Sequence, residues 1–348
     1  MKKAGMFFLA VILAASLLSC SGPGRGIPAA SAASKGDQWP DNIYTMHIGH
    51  AHGVSSTRHQ ALKAFKSMVE ERTRGGVIVN IFPDGQLGTE LSMHDEVRAG
   101  TLQGVWGGEF EMLPKLIIFT LPFLADNETE MERLLDSDFI RDICDDAKDK
   151  GVIVLGMGCG GGFRQFSNNV RPIRTPEDMK GLKMRANDMD TISRTMRALG
   201  ADVSRVSYND LYASLKSGGV DGQENPWINI VSMHFYEVQK YFTEINYQFH
   251  PNPFYVNLEW YQSLPEEYRQ IIGESSETMM KLERRYDKEN KEKALETIKA
   301  YSEVYVLSAD EKKAFRDKVK TVYDEYLAEG LVTQAELDRM YRIMEGGS

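Results

Sequence analysis

The chain has 348 residues, of which 42% are hydrophobic and 26% charged, and its formal net charge is −9. A chain of this size fills more than one hydrophobic core, and its composition is not that of a disordered protein. Phosphate binding needs clustered lysine and arginine, and no basic run follows the first few residues, so we expect no nucleic-acid partner. An anionic ligand would have to be attracted locally, by unpaired arginines in a cleft.

The first 20 residues are typical of an export signal. Two lysines precede an apolar run, residues 6–18, that is too short to span a membrane. Leu17-Leu18-Ser19-Cys20 resembles a bacterial lipobox, which would leave Cys20 lipidated, and Ala30-Ser31-Ala32 is a competing small-x-small cleavage site. We favour the lipobox, so that residues 21–40 become a flexible tether. The expected location is the periplasm, with membrane association only through that lipid.

Two further cysteines, Cys144 and Cys159, remain once Cys20 is assigned to processing. An oxidising compartment permits a disulfide between them without requiring one. We favour two buried free thiols over the disulfide.

Strand and helix patterns alternate along the chain. Strands are expected at Tyr44–Gly49 and Val77–Phe82, each followed by helical spacing, at 57–73 and 89–99. Further strands are expected at 102–106, 152–157, 182–185 and 203–206, and further helices at 139–150, 175–181, 190–199, 208–217, 309–327 and 334–344. This alternation predicts an α/β domain with a mostly parallel sheet, and a second α/β unit that begins near Phe163.

Residues 265–301 are rich in glutamate, lysine and arginine and contain no proline after the first position. The pattern predicts one very long helix or two abutting helices. Because this length exceeds the needs of one compact lobe, we interpret it as a helix that spans two lobes. The alternative is a solvated two-helix hairpin.

Gly156, Gly158 and Gly161 match the G-x-G-x-x-G pattern of dinucleotide-binding folds and follow an apolar strand. A phosphate site also needs a helix that opens at the last glycine, whereas residues 163–168 have an extended pattern. We therefore expect a glycine-rich crossover between lobes that could act as a hinge, and no nucleotide cofactor.

His50 and His52 could present two imidazoles on one strand face, with His47 at the same parity. No third and fourth ligand follow at a recognisable spacing, so we expect cleft-lining polar groups and not a metal site. The serines and cysteines also lack the context of a catalytic nucleophile.

Arg164 and Arg185 are the informative residues, because each lies among apolar and aromatic neighbours instead of on a charged helix face. A guanidinium can grip a carboxylate with two parallel hydrogen bonds, which lysine cannot do. A buried arginine without a partner is costly, so the partner is either an internal acid or a bound anion. The spacing alone does not favour one of these.

Several motifs of this chain, in order, resemble those of the solute-binding proteins of TRAP-type (tripartite ATP-independent periplasmic) transporters. The resemblance extends from about Tyr44 to the C-terminal helices and rests on Phe163-Arg164-Gln165-Phe166-Ser167-Asn168, Arg171-Pro172-Ile173, Thr175-Pro176-Glu177-Asp178-Met179-Lys180-Gly181-Leu182-Lys183-Met184-Arg185 and Val220-Asp221-Gly222-Gln223-Glu224-Asn225-Pro226. Phe82-Pro83-x-x-Gln86-Leu87-Gly88 and Leu121-Pro122-Phe123 add to it.

The resemblance implies an α/β fold, a two-lobed periplasmic-binding-protein clamshell with a long helix spanning both lobes. Residues 41–161 plus 251–290 would form lobe I, and residues 162–250 plus 291–348 would form lobe II. The lobes would close on a small organic-acid anion about crossovers near Gly160–Gly162 and His250-Pro251. The protein would then deliver the anion to a membrane permease driven by an ion gradient, without an ATPase.

The resemblance also implies the binding residues. Arg185 would grip the ligand carboxylate, Arg164 would be a second anchor, and Asn225 would donate from a neutral amide. Other residues near family positions that line the cleft are Trp106, Glu109, His50, His52, Phe163, Tyr208 and Trp227. This ring-rich wall favours an aromatic or bulky acid, bound by stacking, over a sugar acid held by Glu109, His52 and Gln223.

The sequence is also compatible with two other functions. An exported α/β enzyme could use His50 or His52 as a general base while Arg185 orients an acid substrate. A binding protein could also serve a signalling receptor instead of a permease. We expect a binding protein and not an enzyme.

Overall fold

The computed structural model describes residues 42–347, which form two β-sheets surrounded by helices. The predicted export signal, the tether and the lipidation site Cys20 lie outside the described residues. Within residues 42–347, no helix has the length and apolar character needed to cross a membrane.

The strands are β1 (Tyr44–Gly49), β2 (Val77–Phe82), β3 (Gly104–Trp106), β4 (Val152–Gly158), β5 (Arg164–Asn168), β6 (Lys183–Ala186), β7 (Asp202–Arg205), β8 (Gly222–Pro226), β9 (Tyr241–Glu244), β10 (Asn252–Asn257) and β11 (Glu303–Val306). The α-helices are α1 (Thr57–Arg72), α2 (Glu90–Ala99), α3 (Glu128–Leu135), α4 (Asp138–Asp145), α5 (Asp190–Ala198), α6 (Leu211–Ser217), α7 (Trp227–Ser232), α8 (Leu258–Ser263), α9 (Glu266–Tyr301), α10 (Ala309–Lys318), α11 (Lys320–Ala328) and α12 (Gln334–Met344). Short 3-10 helices lie at Pro114–Thr120, Asp146–Lys150, Pro176–Met179 and Phe235–Glu237.

The first sheet has the strand order β2-β1-β3-β10-β4. Strand β1 pairs in parallel with β2 and β3, as the alternating pattern predicted. Strand β10 is antiparallel to both of its neighbours, because the chain re-enters this sheet on its way back from the second one. The sheet is therefore mixed, with β1, β2, β3 and β4 running in one direction and β10 in the other.

The second sheet has the order β11-β9-β5-β8-β6-β7 and is also mixed. Strand β6 pairs in parallel with β7 and β8, whereas β5 is antiparallel to β8 and β9. The β5–β8 register places Phe166 opposite Glu224 and Gln165 opposite Asn225. This pairing brings two of the family-like motifs side by side.

Helix α9 is a single helix of 36 residues, so the two-helix hairpin is wrong. Ile272 and Met279 pack in the core of the first sheet, and Ala294 and Ile298 pack in a core of the second. The long helix thus spans both sheets, as predicted. In contrast, the single helix expected at 309–327 is two helices, α10 and α11, that meet at Val319.

The glycine-rich segment after β4 leads directly into strand β5, so no helix opens at Gly161. The extended conformation predicted for residues 163–168 is confirmed, since Arg164–Asn168 form β5. Cys144 and Cys159 are both free thiols, as predicted, but Cys159 is buried whereas Cys144 is half-buried.

Candidate functional site

A polar cavity of about 50 Å³ lies where segments of the two sheets meet, and it is partly open to solvent. The first sheet supplies residues that follow β1 and β3 or begin β10, and the second supplies residues on β5, β6 and β8. The lining side chains and glycines are His52, Glu90, Gly108, Glu109, Gly160, Arg164, Arg185, Asn187, Tyr208, Asn225, Asn229, His250 and Asn252. An anion in this cavity would touch both sheets.

Arg185 lies on β6 and is 1% exposed. Its Nε donates to the carbonyl oxygen of Val206 at 2.8 Å, but its buried Nη2 has no hydrogen-bond partner. No ion pair within residues 42–347 includes Arg185, and its guanidinium lies 5.9 Å from the ring centre of Tyr208. Burial lowers the pKa of Arg185, although a guanidinium stays protonated in proteins. The side chain is therefore a buried cation with unused donor capacity.

Arg164, on β5, has a different environment. Its Nε forms an ion pair with Glu224, and its Nη2 donates to Glu224 Oε1 at 2.8 Å, to the Glu224 carbonyl at 2.9 Å and to Asn225 Oδ1 at 3.1 Å. Tyr247 adds an O–H donor to Glu224 at 2.7 Å. Burial by itself lowers the pKa of Arg164, but the Glu224 carboxylate reverses this effect and raises it. Arg164 thus has an internal acid as its partner, whereas Arg185 does not.

Asn225 lines the cavity from β8 and is held in a chain of amides. Its Nδ2 donates to Gln223 Oε1 at 2.6 Å, and Gln223 Nε2 donates to Ser167 Oγ at 2.8 Å. Its Oδ1 accepts from Arg164, which fixes the orientation of the amide. Because an amide nitrogen has two hydrogens, Asn225 keeps one donor for a ligand.

The rings expected around the cleft divide into two groups. Tyr208 and His52 line the cavity and contact each other, with ring centres 4.8 Å apart and ring planes tilted by 35°. Trp106, Trp227 and Phe163 do not line it and lie instead in the hydrophobic cores. Their ring partners are Phe254, Phe242 and Phe249, respectively. The cavity therefore has one aromatic platform and an otherwise polar wall.

Glu109 lines the cavity, together with Glu90, a carboxylate that the sequence reasoning missed. Glu90 Oε1 accepts the backbone N–H of Glu109 at 2.7 Å, and Glu109 Oε1 accepts from Asn187 at 3.1 Å. Burial raises the pKa of both carboxyl groups, and the nearby charge of Glu90 raises that of Glu109 further, to about 8. At neutral pH the Glu109 carboxyl is therefore protonated and can both donate and accept a hydrogen bond.

The cavity histidines carry no charge at neutral pH. Burial lowers the pKa of His52 well below its usual value and that of His250 to about 3. His50 lies outside the cavity, and its Nε2 is 3.1 Å from Nδ1 of His59. Among the described residues, neither His50 nor His52 belongs to a group of three side chains that could hold a metal ion. The arginines are therefore the cationic groups of the cavity lining.

Besides Glu90, the sequence reasoning missed four polar side chains of the lining. They are Asn187, Asn229, His250 and Asn252. Asn187 directly follows β6, so the rule that ligands bind beyond the carboxyl ends of parallel strands would have found it. Asn229 and Asn252 lie on elements that the sequence patterns did not predict.

Comparison with known proteins gives the family. The model of the bacterial extracellular solute-binding proteins, family 7 (DctP), matches residues 48–329. The C4-dicarboxylate-binding periplasmic protein DctP of Shewanella loihica is 30% identical over 289 residues, which cover 81% of this chain and 84% of the relative.

Two solved structures extend the comparison. A TRAP periplasmic solute binding protein from Desulfovibrio salexigens with bound orotic acid is 30% identical, with a TM-score of 0.79, and the match covers 87% of this chain and 98% of that one. One from Chromohalobacter salexigens with bound D-glucuronate is 26% identical, with a TM-score of 0.79, and the match covers 86% and 99%.

The matched family and these structural neighbours are two-lobed binding proteins, so the enzyme hypothesis based on His50 or His52 is wrong. The matched residues 48–329 also contain the motifs on which the sequence resemblance rested. The chain belongs to the DctP family of bacterial extracellular solute-binding proteins, and it is a TRAP-type solute-binding protein.

Proposed function

We propose that this protein captures a carboxylate-bearing organic acid outside the cytoplasmic membrane, with Arg185 as the anchor. The observation that carries the proposal is the buried Nη2 of Arg185, which has no hydrogen-bond partner and no acid in ion-pair distance among residues 42–347. A buried guanidinium nitrogen without a partner is costly unless a bound anion accepts a hydrogen bond from it. The relatives named above bind a C4-dicarboxylate, orotic acid and D-glucuronate, and all three carry a carboxylate.

We propose a hydroxylated acid, such as a sugar acid, as the ligand class in preference to an aromatic acid. Glu90 and Glu109 can accept hydrogen bonds from ligand hydroxyl groups, and Asn187, Asn229 and Asn252 add further amide groups to the wall. An aromatic acid is the second candidate, because the Tyr208–His52 pair offers one stacking platform. Trp106, Trp227 and Phe163 lie in the cores, so they offer the ligand no further ring to stack on.

A thermal-shift screen tests both ligand classes. We expect 1 mM D-glucuronate to stabilise the protein by about 4 kcal/mol if it binds with micromolar affinity, and indole-3-acetate to stabilise it less. D-glucose, which lacks the carboxylate, is the matched control and should give no shift. A larger shift with indole-3-acetate would favour the aromatic class, and equal shifts with D-glucose and D-glucuronate would contradict the role of Arg185.

The affinity for D-glucuronate is expected to fall as the pH rises through about 8. The pKa of Glu109 is about 8, so its carboxyl group is neutral below this pH and negatively charged above it, where it repels the ligand carboxylate. Isothermal titration at pH 6.5 and pH 9.5 should show a loss of about tenfold, equivalent to about 1.4 kcal/mol.

Two variants control this measurement. Glu109→Gln should remove most of the pH dependence, because glutamine does not ionise. Glu90→Gln should move the loss of affinity to lower pH, because the charge that raises the pKa of Glu109 is gone. A wild-type pH profile in Glu109→Gln would show that another group is responsible.

We also propose that the protein delivers its ligand to a TRAP membrane permease and not to a signalling receptor. Membership of the DctP family supports this partner. The proposed lobes, residues 41–161 plus 251–290 and 162–250 plus 291–348, agree with the distribution of strands between the two sheets. In this proposal they close on the anion about Gly160–Gly162 and His250-Pro251, where the chain passes from one sheet to the other.

A further inference from the structure

The glycine-rich segment between β4 and β5 binds carboxylates of the protein itself. The backbone N–H of Cys159 donates to Glu283 Oε2 at 2.8 Å, and that of Gly161 donates to Asp287 Oδ2 at 3.1 Å. The thiol of Cys159 donates to the same Asp287 oxygen at 2.9 Å. Glu283 and Asp287 lie one turn apart on α9, and both are buried. Helix α9 thus holds the segment through its amides.

Two features of the segment depend on glycine. Gly160, Gly161 and Gly162 have φ angles of 61°, 96° and 92°, a region that side chains other than glycine rarely adopt. At Gly158, a Cβ atom would lie 2.5 Å from Glu283 Oε2, which is too close for a real contact. Of the three glycines in the G-x-G-x-x-G pattern, Gly161 donates its amide to Asp287, Gly158 leaves room for the Glu283 carboxylate, and Gly156 packs against Met280.

The opposite side of the segment belongs to the ligand cavity. The carbonyl oxygen of Gly160 accepts from Asn229 Nδ2 at 3.0 Å, and both residues line the cavity. Two residues after Gly162 the chain reaches Arg164, which lines the same cavity. A shift of the segment would therefore move part of the ligand-binding wall.

We propose that Glu283 and Asp287 are positioning residues that clamp residues 159–162 and thereby set where Gly160 and Arg164 lie in the ligand cavity. The inference rests on the proposed function of that cavity. Neither carboxylate lines the cavity, so the effect on binding would be transmitted through the backbone of the segment.

The burial of two neighbouring carboxyl groups has an electrostatic cost that a contact between apolar side chains would not have. Burial raises the pKa of both carboxyl groups, and the charge of Glu283 raises that of Asp287 further, to about 7. Arg58 on α1 and the amide of Cys159 act in the opposite direction on Glu283. Two buried acids one turn apart are costly unless hydrogen bonds satisfy them, and the amides of Cys159 and Gly161 supply two such bonds.

Hydrogen exchange of the full chain without ligand tests the clamp. We expect the Gly161 amide to exchange at least tenfold faster in Asp287→Ala, and the Cys159 amide at least tenfold faster in Glu283→Ala. If the clamp positions the cavity wall, the Arg164 amide, which donates to Gln248 and not to the clamp, should also exchange faster in Asp287→Ala. Asp287→Asn keeps an acceptor oxygen and should restore wild-type exchange.

Glu292→Ala is the matched control, because Glu292 is an exposed acid on the same helix. It should leave all of these exchange rates unchanged. The clamp is overturned if the Gly161 and Cys159 amides exchange at wild-type rates in the alanine variants. Its positioning role is overturned if the Arg164 amide alone keeps its wild-type rate.

Titration with D-glucuronate adds the functional readout. We expect Asp287→Ala to bind this probe about tenfold more weakly and Asp287→Asn to bind it as wild type does. Unchanged affinity in Asp287→Ala, with faster exchange, would contradict the link to the cavity. A wild type that binds no D-glucuronate would count against the proposed hydroxy-acid ligand, while the exchange rates, which need no ligand, would still decide the clamp.

Discussion

Replacing Arg185 by alanine is expected to weaken carboxylate binding by at least 100-fold while the protein still folds. A guanidinium that grips a carboxylate forms two charge-assisted hydrogen bonds of about 1.5–3 kcal/mol each, or about 3–6 kcal/mol together. Among the described residues, Arg185 donates to the carbonyl of Val206 and takes part in no ion pair, so the change breaks no buried ion pair there. Isothermal titration with D-glucuronate measures the affinity, and thermal unfolding without ligand checks the fold.

Two further variants make this test specific. Arg185→Lys keeps the charge but loses the planar fork, so we expect an intermediate affinity. Arg205→Ala is the control, because Arg205 lies on the neighbouring strand β7, opposite Ala186, and is exposed. It should bind as wild type does. Wild-type affinity in Arg185→Ala would show that the anion is held elsewhere.

Replacing Glu224 by alanine is expected to destabilise the fold by about 3–5 kcal/mol. The Arg164–Glu224 pair is buried, with 6% and 0% exposure, and the removal of the acid leaves a buried guanidinium without a counter-charge. Tyr247 would lose its 2.7 Å acceptor on Glu224 at the same time and keep the weaker contact to Gln248 Oε1 at 3.2 Å. Chemical denaturation of the ligand-free protein measures the change.

The matched control for Glu224 is an acid in a solvent-exposed ion pair. Asp317 pairs with Lys313 and Lys320 on the surface, where solvent screens the charges, so Asp317→Ala should leave the denaturation midpoint almost unchanged. Glu224→Gln keeps one acceptor oxygen and should fall between wild type and Glu224→Ala. If Glu224→Ala were as stable as wild type, Arg164 would have a partner other than Glu224.

The early elements of the fold follow from local pattern. Helix α1 begins at Thr57 as predicted, because Ser56 caps it and an apolar stripe faces the core. Strand β8 was not predicted, because its sequence carries no local strand pattern. Its sequence, Gly-Gln-Glu-Asn-Pro, has the composition of a turn, yet all five residues are buried. Such a strand has no alternation of apolar and polar residues, because neighbours on both faces bury its polar side chains and supply their partners.

The roles of the two arginines could not be separated by the sequence, which places both in apolar surroundings. The separation comes from the antiparallel pairing of β5 and β8, which brings Glu224 to Arg164 across 60 residues of chain. No such pairing brings an acid to Arg185. The rings Trp106, Trp227 and Phe163 could not be assigned for a similar reason, since core and cleft both contain large aromatic residues.

The amino-acid sequence by itself determined the α/β class, the long helix, the family and the presence of two arginines in apolar surroundings. These features depend on local periodicity and on motifs that are continuous along the chain. The tertiary structure decided which arginine stays unpaired, which rings face the cavity and where the glycine-rich segment finds its carboxylates. Each of these depends on contacts between residues far apart in the chain, and such contacts arise only when the strands pair and helix α9 packs across both sheets.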